Sequence, residues 1–168
     1  LNGFNVRYFY SVKRLSKVAS SNYQAVNYPK SEHSIFGFFK TKSSKLDDIF
    51  DTSRKKTKYF LNRWNPKNKV VKYVLSDSFN KKQNKMFKDA TYASFKRINQ
   101  GLKKANSPIK LKLVEPNGSK AGDLGVNMIV LIDDPLSNGL LGYGPTVTNP
   151  RTGEIVQGHV NMYSGVLK

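Results

Sequence analysis

A chain of 168 residues and 19.0 kDa sits in the one-domain range and buries roughly 70% of its unfolded surface; a 38% hydrophobic content with ten Phe and nine Tyr excludes wholesale disorder despite a mean hydropathy of −0.54. With no cysteine, and with His33 and His159 as the only histidines, disulfide scaffolds, thiolate metal sites, cysteine nucleophiles and a three-His zinc site are all excluded. Twenty-nine Lys plus Arg against eleven Asp plus Glu give a net charge of +18, which raises polyanions as partners; the longest aliphatic run, Met128 to Ile132, falls far short of the roughly 20 residues of a bilayer span.

The chain opens Leu1-Asn2-Gly3-Phe4, with no initiator Met and no apolar signal-like segment, which reads as a processed terminus or an artificial boundary. Residues 1–66 read as a β-rich segment. Val6 to Tyr10 and Ile35 to Phe39 suit short strands, Lys45 to Asp51 a helical turn, and Ser20 to Asn22 and Lys40 to Ser44 loops. Trp64-Asn65-Pro66 is the expected boundary to a second unit, residues 67–168. There Lys69 to Leu75, rich in β-branched and aromatic residues, predicts a strand ended by Ser76-Asp77-Ser78. Asn80 with Gln83 has the form of a capping box, and Phe87, Ala90, Ser94, Ile98, Leu102 and Ala105 recur at helical spacing behind it. The expectation is one amphipathic helix over Asn80 to Asn106, stopped by Ser107-Pro108, with Phe87, Ala90, Ile98 and Leu102 packed on the sheet.

Ile109 to Glu115 alternates as a half-buried strand does, and Val126 to Ile132, apolar on both faces except at Asn127, suits a central strand. The helix then supplies the crossover between parallel neighbours, so the fold class is α/β: a twisted mixed β-sheet packed on one long helix. Beyond the Gly142 to Pro145 corner, Asn149-Pro150-Arg151-Thr152-Gly153 has the residues of a hairpin tip. Its arms are Thr146 to Thr148 and Glu154 to Asn161. Gly158, in mid-strand, marks a bulge or the close approach of another backbone.

Of the 29 basic residues, 21 lie between Lys40 and Lys112, with five acids among them. Lys outnumbers Arg by 23 to six, and Lys is a solvated point charge without the bidentate fork that reads phosphates and guanine edges. The cluster therefore reads as a solvated face or as a weak, salt-sensitive polyanion surface. There is no His-Glu-x-x-His pair, Gly-x-Ser-x-Gly elbow, Walker loop or dinucleotide-binding glycine fingerprint. Asp133-Asp134 at a strand end suits a hard cation or a plain solvated terminus, and His159 a cleft or a surface.

Arg63-Trp64-Asn65-Pro66, Val71 to Ser76, the long helix and above all Leu141-Gly142-Tyr143-Gly144-Pro145-Thr146-Val147-Thr148-Asn149-Pro150-Arg151-Thr152-Gly153-Glu154-Ile155 resemble the first half of the catalytic domain of bacterial zinc-dependent metalloproteases of the metzincin clan. The resemblance covers about residues 60 to 168, and more loosely Gly37 to Thr41. It implies an N-terminal catalytic subdomain with a mixed sheet on a long helix, an antiparallel edge strand that pairs with extended substrate, and a following helix that bears His-Glu-x-x-His. On that basis the arm from Glu154 to Tyr163 is the expected substrate-binding edge strand, with Gly158, His159, Val160 and Asn161 beside a peptide or protein substrate and Gly158 leaving room for its backbone. Replacing Gly158 by Val is then expected to raise KM with little change in stability.

The chain stops before the zinc-binding helix, which reads as a fragment of a longer protease or as a truncated relative that kept the scaffold for another use, so no catalytic or metal-ligating residue is assigned within it. Zinc is expected of the full-length protein and not of this chain. A secreted or cell-envelope location follows from the resemblance alone. Self-association through an uncovered sheet or helix face is a further expectation. The alternative function is a basic non-catalytic binding module for nucleic acid or anionic surfaces.

Overall fold

The structure, a computed structural model, describes residues 5–28, 35, 37–45, 56–134 and 139–165. In chain order the strands are β1 (Lys40–Lys45), β2 (Lys56–Leu61), β3 (Val70–Leu75), β4 (Lys110–Val114), β5 (Met128–Ile132), β6 (Gly142–Tyr143), β7 (Thr146–Thr148) and β8 (Ile155–Tyr163), and the helix α1 spans Lys85–Lys104. The main sheet has the order β4-β3-β5-β8-β6, with β7 also on β8. β3, β4, β5 and β8 run parallel, and β6 and β7 return antiparallel. The α/β class, the mixed sheet and the single long helix are as the sequence indicates, with α1 as the crossover from β3 to β4.

β5 is central, between β3 and β8, and successive residues Met128 and Ile129 are both buried because each face is covered. On the helix side Leu75, Ile129 and Leu131 close with Phe79 and Phe87 into the core, flanked by Tyr73, Phe95, Leu113, Val160 and Met162. On the far side lies the loop before β5. Gln157, 2% exposed, is held there by the Gly125 N–H on its Oε1 and by donating from Nε2 to the Asp123 carbonyl.

The helix differs from expectation at its start and in its phase. Short 3-10 turns at Asp77–Asn80 and Lys82–Asn84 precede it, and Asn84, not Asn80, occupies the N-cap position. The buried Asn84 side chain makes no cap bond; its Nδ2 donates to Ser78 O at 2.9 Å. Buried Phe79 anchors the chain into these turns, so helix geometry begins only afterwards. The inward stripe is Phe87, Thr91, Phe95, Asn99 and Leu102, whereas Ala90 is exposed and Ile98 is 45% exposed. Two polar residues sit on that stripe because each has a partner: Thr91 Oγ1 donates to Phe87 O, and the Asn99 amide exchanges two 2.8 Å bonds with the Leu111 backbone. At the C-terminus Asn106 takes a left-handed conformation (φ 52°), and the Ser107 N–H caps Leu102 O at 2.9 Å.

The N-terminal half holds the largest differences. Val6 to Tyr10 forms no strand, and Tyr8 and Tyr10 are exposed. Ile35 and residues 37–39 lie outside any strand, and the remainder of the expected Ile35 to Phe39 strand falls outside the described residues. Lys40 to Ser44, read as a loop, is most of β1, which pairs with β2 as an antiparallel two-stranded sheet. The expected helical turn over Lys45 to Asp51 lies outside the described residues except for Lys45, the last residue of β1. The segment is tied to the main sheet by Glu154, 3% exposed, whose carboxylate accepts from Ser20 N–H and Oγ–H, and by backbone pairing at Arg63, whose N–H donates to Gly153 O and whose C=O accepts from Ile155 N–H.

Candidate functional site

The hairpin forms as the Asn149 to Gly153 tip requires. Asn149 O accepts from Thr152 N–H and Gly153 N–H, Asn149 Oδ1 from Arg151 N–H, and Asn149 N–H donates to Glu154 O. Gly153 needs its glycine, since φ is 75° and a Cβ there would stand 2.7 Å from Leu61 O. The ladder is regular from Gly142↔Met162 through Val147↔Gln157 and slips at Val147/Thr148, so the irregularity foreseen at Gly158 lies across the hairpin instead.

The second arm is not an edge. β8 is paired on both sides, with β5 in parallel from Met128↔His159 to Ile132↔Tyr163 and with β6 and β7 antiparallel. The expected substrate-facing set Gly158, His159, Val160 and Asn161 is therefore interior to the sheet, since a strand of nine residues collects both ladders before its short returning arm can. Gly158 makes room within the chain: a Cβ would stand 2.6 Å from the Tyr73 hydroxyl and 3.1 Å from the Trp64 ring. Its N–H donates to Asn127 Oδ1 at 2.8 Å, while Asn127 Nδ2 reaches Lys72 O. His159 contacts Gln157 through Nε2 and bonds the Val126 backbone, and burial pushes its pKa below the ordinary 6.5. Val160 and Met162 flank the core, and Asn161 lies opposite Tyr143.

Among the described residues the bare edge is β6 and β7. In an antiparallel pair alternate residues direct both backbone groups to the partner. His159 N–H bonds Pro145 O and Tyr163 N–H bonds Leu141 O, both at 2.9 Å, so the odd-numbered residues face β8. Gly142, Gly144 and Thr146 consequently turn their N–H and C=O groups outward, where no strand among the described residues pairs with them. Gly142 is required internally, for a Cβ would stand 2.5 Å from Asn161 O. Leu141, Tyr143 and Val147 are exposed on the face away from the helix, with Tyr143 stacked on Tyr163 at 6.4 Å.

The opposite edge, β4, is treated differently. Lys110 N–H bonds Lys69 O, so Leu111 points its backbone groups away from β3, and the Asn99 amide occupies both. Exposed Lys110 and Lys112 flank it, the usual protection of an edge against strand addition. The β4 edge is occupied at Leu111, and among the described residues the β6 and β7 edge carries no partner strand.

No group of three or more His, Cys, Asp or Glu able to hold a metal occurs among the described residues, and His33 lies outside them. Asp133 is engaged with Lys81 Nζ and Ser164 Oγ, both at 2.9 Å, and fastens the end of β8. No helix of the described residues is long and apolar enough to cross a membrane. Compared with protein-family models, curated proteins and solved structures, the chain matches none.

Proposed function

We propose that this chain is the N-terminal portion of a zinc-dependent metalloendopeptidase, supplying the sheet scaffold and an edge, β6 and β7, along which a peptide substrate lies extended. The observation that carries it is the contrast between edges: Asn99 fills the outward bonding positions of Leu111 in β4, whereas among the described residues no strand pairs with the outward groups of Gly142, Gly144 and Thr146 on the antiparallel side. A mixed sheet on one long helix with an antiparallel edge strand is what the resemblance implies, with the edge role moved from the second hairpin arm to the first. The described residues do not fit zinc, having no donor set for it, so the metal and the general base would come from elsewhere in the protein and no chemical step is assigned to these side chains.

The test is to extend the chain through the residues encoded after Lys168 and to measure zinc content and cleavage of an unfolded protein substrate. A His-Glu-x-x-His helix within a few tens of residues, with chelator-sensitive cleavage, is the expected result. Its absence from the reading frame overturns the proposal.

A second reading rests on a separate observation. Lys96, Lys103 and Lys110 line an open groove of about 740 Å³ at the end of α1 with Asn99, Gln100 and Ser107, and no carboxylate among the described residues pairs with these lysines. Such a groove attracts polyanions without reading sequence.

A further inference from the structure

Four glycines lie on the hairpin, and the chain itself explains three of them. Gly142 avoids Asn161 O, Gly153 adopts a left-handed conformation against Leu61 O, and Gly158 makes room for Tyr73 and Trp64. Gly144 is different. Its φ is outside the left-handed region, and among the described residues the only neighbour a Cβ would meet within 4 Å is His159 O at 3.5 Å, an ordinary contact. Glycine in an extended segment carries an entropic penalty and often marks a place where another chain approaches.

What lies beside Gly144 gives that place a chemistry. The register that sets Gly142 opposite Met162 and Thr146 opposite Gly158 sets Gly144 opposite Val160. Directly opposed residues share a face, so Gly142 and Gly144 lie on the helix side, next to the half-buried Met162 and Val160. These two side chains meet core on one flank and residues without side chains on the other. The result is a shallow apolar shelf running along the open edge.

We infer that this shelf is a specificity subsite. An extended peptide paired on the outward groups of Gly142, Gly144 and Thr146 lies about 4.8 Å beyond the edge, and the residue opposite Gly144 projects its side chain over the shelf. A bulky aliphatic side chain there covers the exposed flanks of Val160 and Met162; a small one leaves them wet, and a charged one loses solvent without gaining a partner. The substrate class is a polypeptide segment with a large apolar residue at this position, and Gly144 determines the selection. This inference rests on the open-edge reading above.

The test titrates the full chain with nine-residue extended peptides, N-methylated on alternate amides so that each pairs along one edge only, carrying Leu, Ala or Lys at the central position. NMR signals of the Gly142, Gly144 and Thr146 amides report binding. The Leu peptide is expected to bind about tenfold more tightly than the Ala peptide, and Gly144→Val to reduce it to the level of the Ala peptide while the melting temperature is unchanged. Should Gly144→Val fail to fold, Gly144→Ala, whose Cβ meets only an ordinary contact, is expected to show the same narrowing in part. Equal affinities for Leu and Ala peptides, or an unchanged preference in the folded variant, overturn the subsite and leave the edge reading standing. No shift at these amides with any peptide overturns both. Shifts that appear on concentrating the chain alone assign the edge to a second copy and likewise overturn the subsite.

Discussion

At Gly158 the missing side chain is filled from inside the molecule, by the Tyr73 hydroxyl and the Trp64 ring, and this reverses what its replacement should do. Tyr73 lies edge-on between Trp64 and Phe95, at centroid distances of 6.5 and 5.8 Å, so a displaced hydroxyl must shift a ring held on both sides. Gly158→Val is therefore expected to destabilise the fold by about 1 to 3 kcal/mol through overpacking, measured as a lower urea midpoint at unchanged slope. A midpoint equal to wild type would show that Tyr73 can move aside. His159, one residue on, carries a pH dependence. Burial lowers its folded pKa beneath the ordinary 6.5 of the unfolded chain, so the unfolded state binds the proton more readily. Stability is then level above about 6.5 and declines as pH falls from there toward the folded value. His159→Gln is expected to flatten that portion of the urea-midpoint profile between pH 7 and 5, and an unaltered profile would remove His159 as its source.

For the elements, the instructive case is α1. Apolar residues alone select a stripe through Ala90 and Ile98, but burial runs through Thr91, Phe95 and Asn99, about one residue round the helix. Residue hydropathy missed this because Asn99 sits on the inward face as a backbone partner: it satisfies both outward groups of Leu111 on the β4 edge. Phe95→Ala is accordingly expected to cost about 3 kcal/mol, and Ile98→Ala, at 45% exposure, less than about 1 kcal/mol. Urea unfolding of the two variants gives the comparison, and an Ile98→Ala loss equal to that of Phe95→Ala would restore the stripe drawn from periodicity. β8 is the other case. Its alternation and its tip were readable, but alternation is the same for a strand with one neighbour or two, so its place between β5 and the returning arm was not.

Over the whole molecule the positive charge is unevenly answered. Lys81, Lys85 and Lys88 have carboxylate partners in Asp133, Asp89 and Glu115, while the lysines around the groove at the end of α1 have none among the described residues. Binding of a heparin-like polyanion to the full chain is expected to weaken by orders of magnitude between about 50 and 200 mM salt, and a triple Lys96→Gln, Lys103→Gln, Lys110→Gln variant to lose most of it. Salt-insensitive binding, or an unaffected variant, would locate the interaction elsewhere.

From the order of residues alone came the strands β3, β4, β5, β7 and β8, a long helix between β3 and β4, the hairpin tip, the parallel crossover and the α/β class. Each is encoded by neighbours a few positions apart: β-branched runs, the Asn-Pro-Arg-Thr-Gly turn, and a helix long enough to bridge two strands. Only the tertiary structure decided which strand is the edge, which face of α1 is inward, and that β1 and β2 pair where a lysine- and serine-rich stretch suggested a loop. Those outcomes depend on partners far away in sequence, such as Asn99 on Leu111, Tyr73 against Gly158 and Ser20 on Glu154. Hydrophobic periodicity records that a residue is covered. It does not record what covers it, and both the open edge at Gly142, Gly144 and Thr146 and the closed one at β4 follow from the latter.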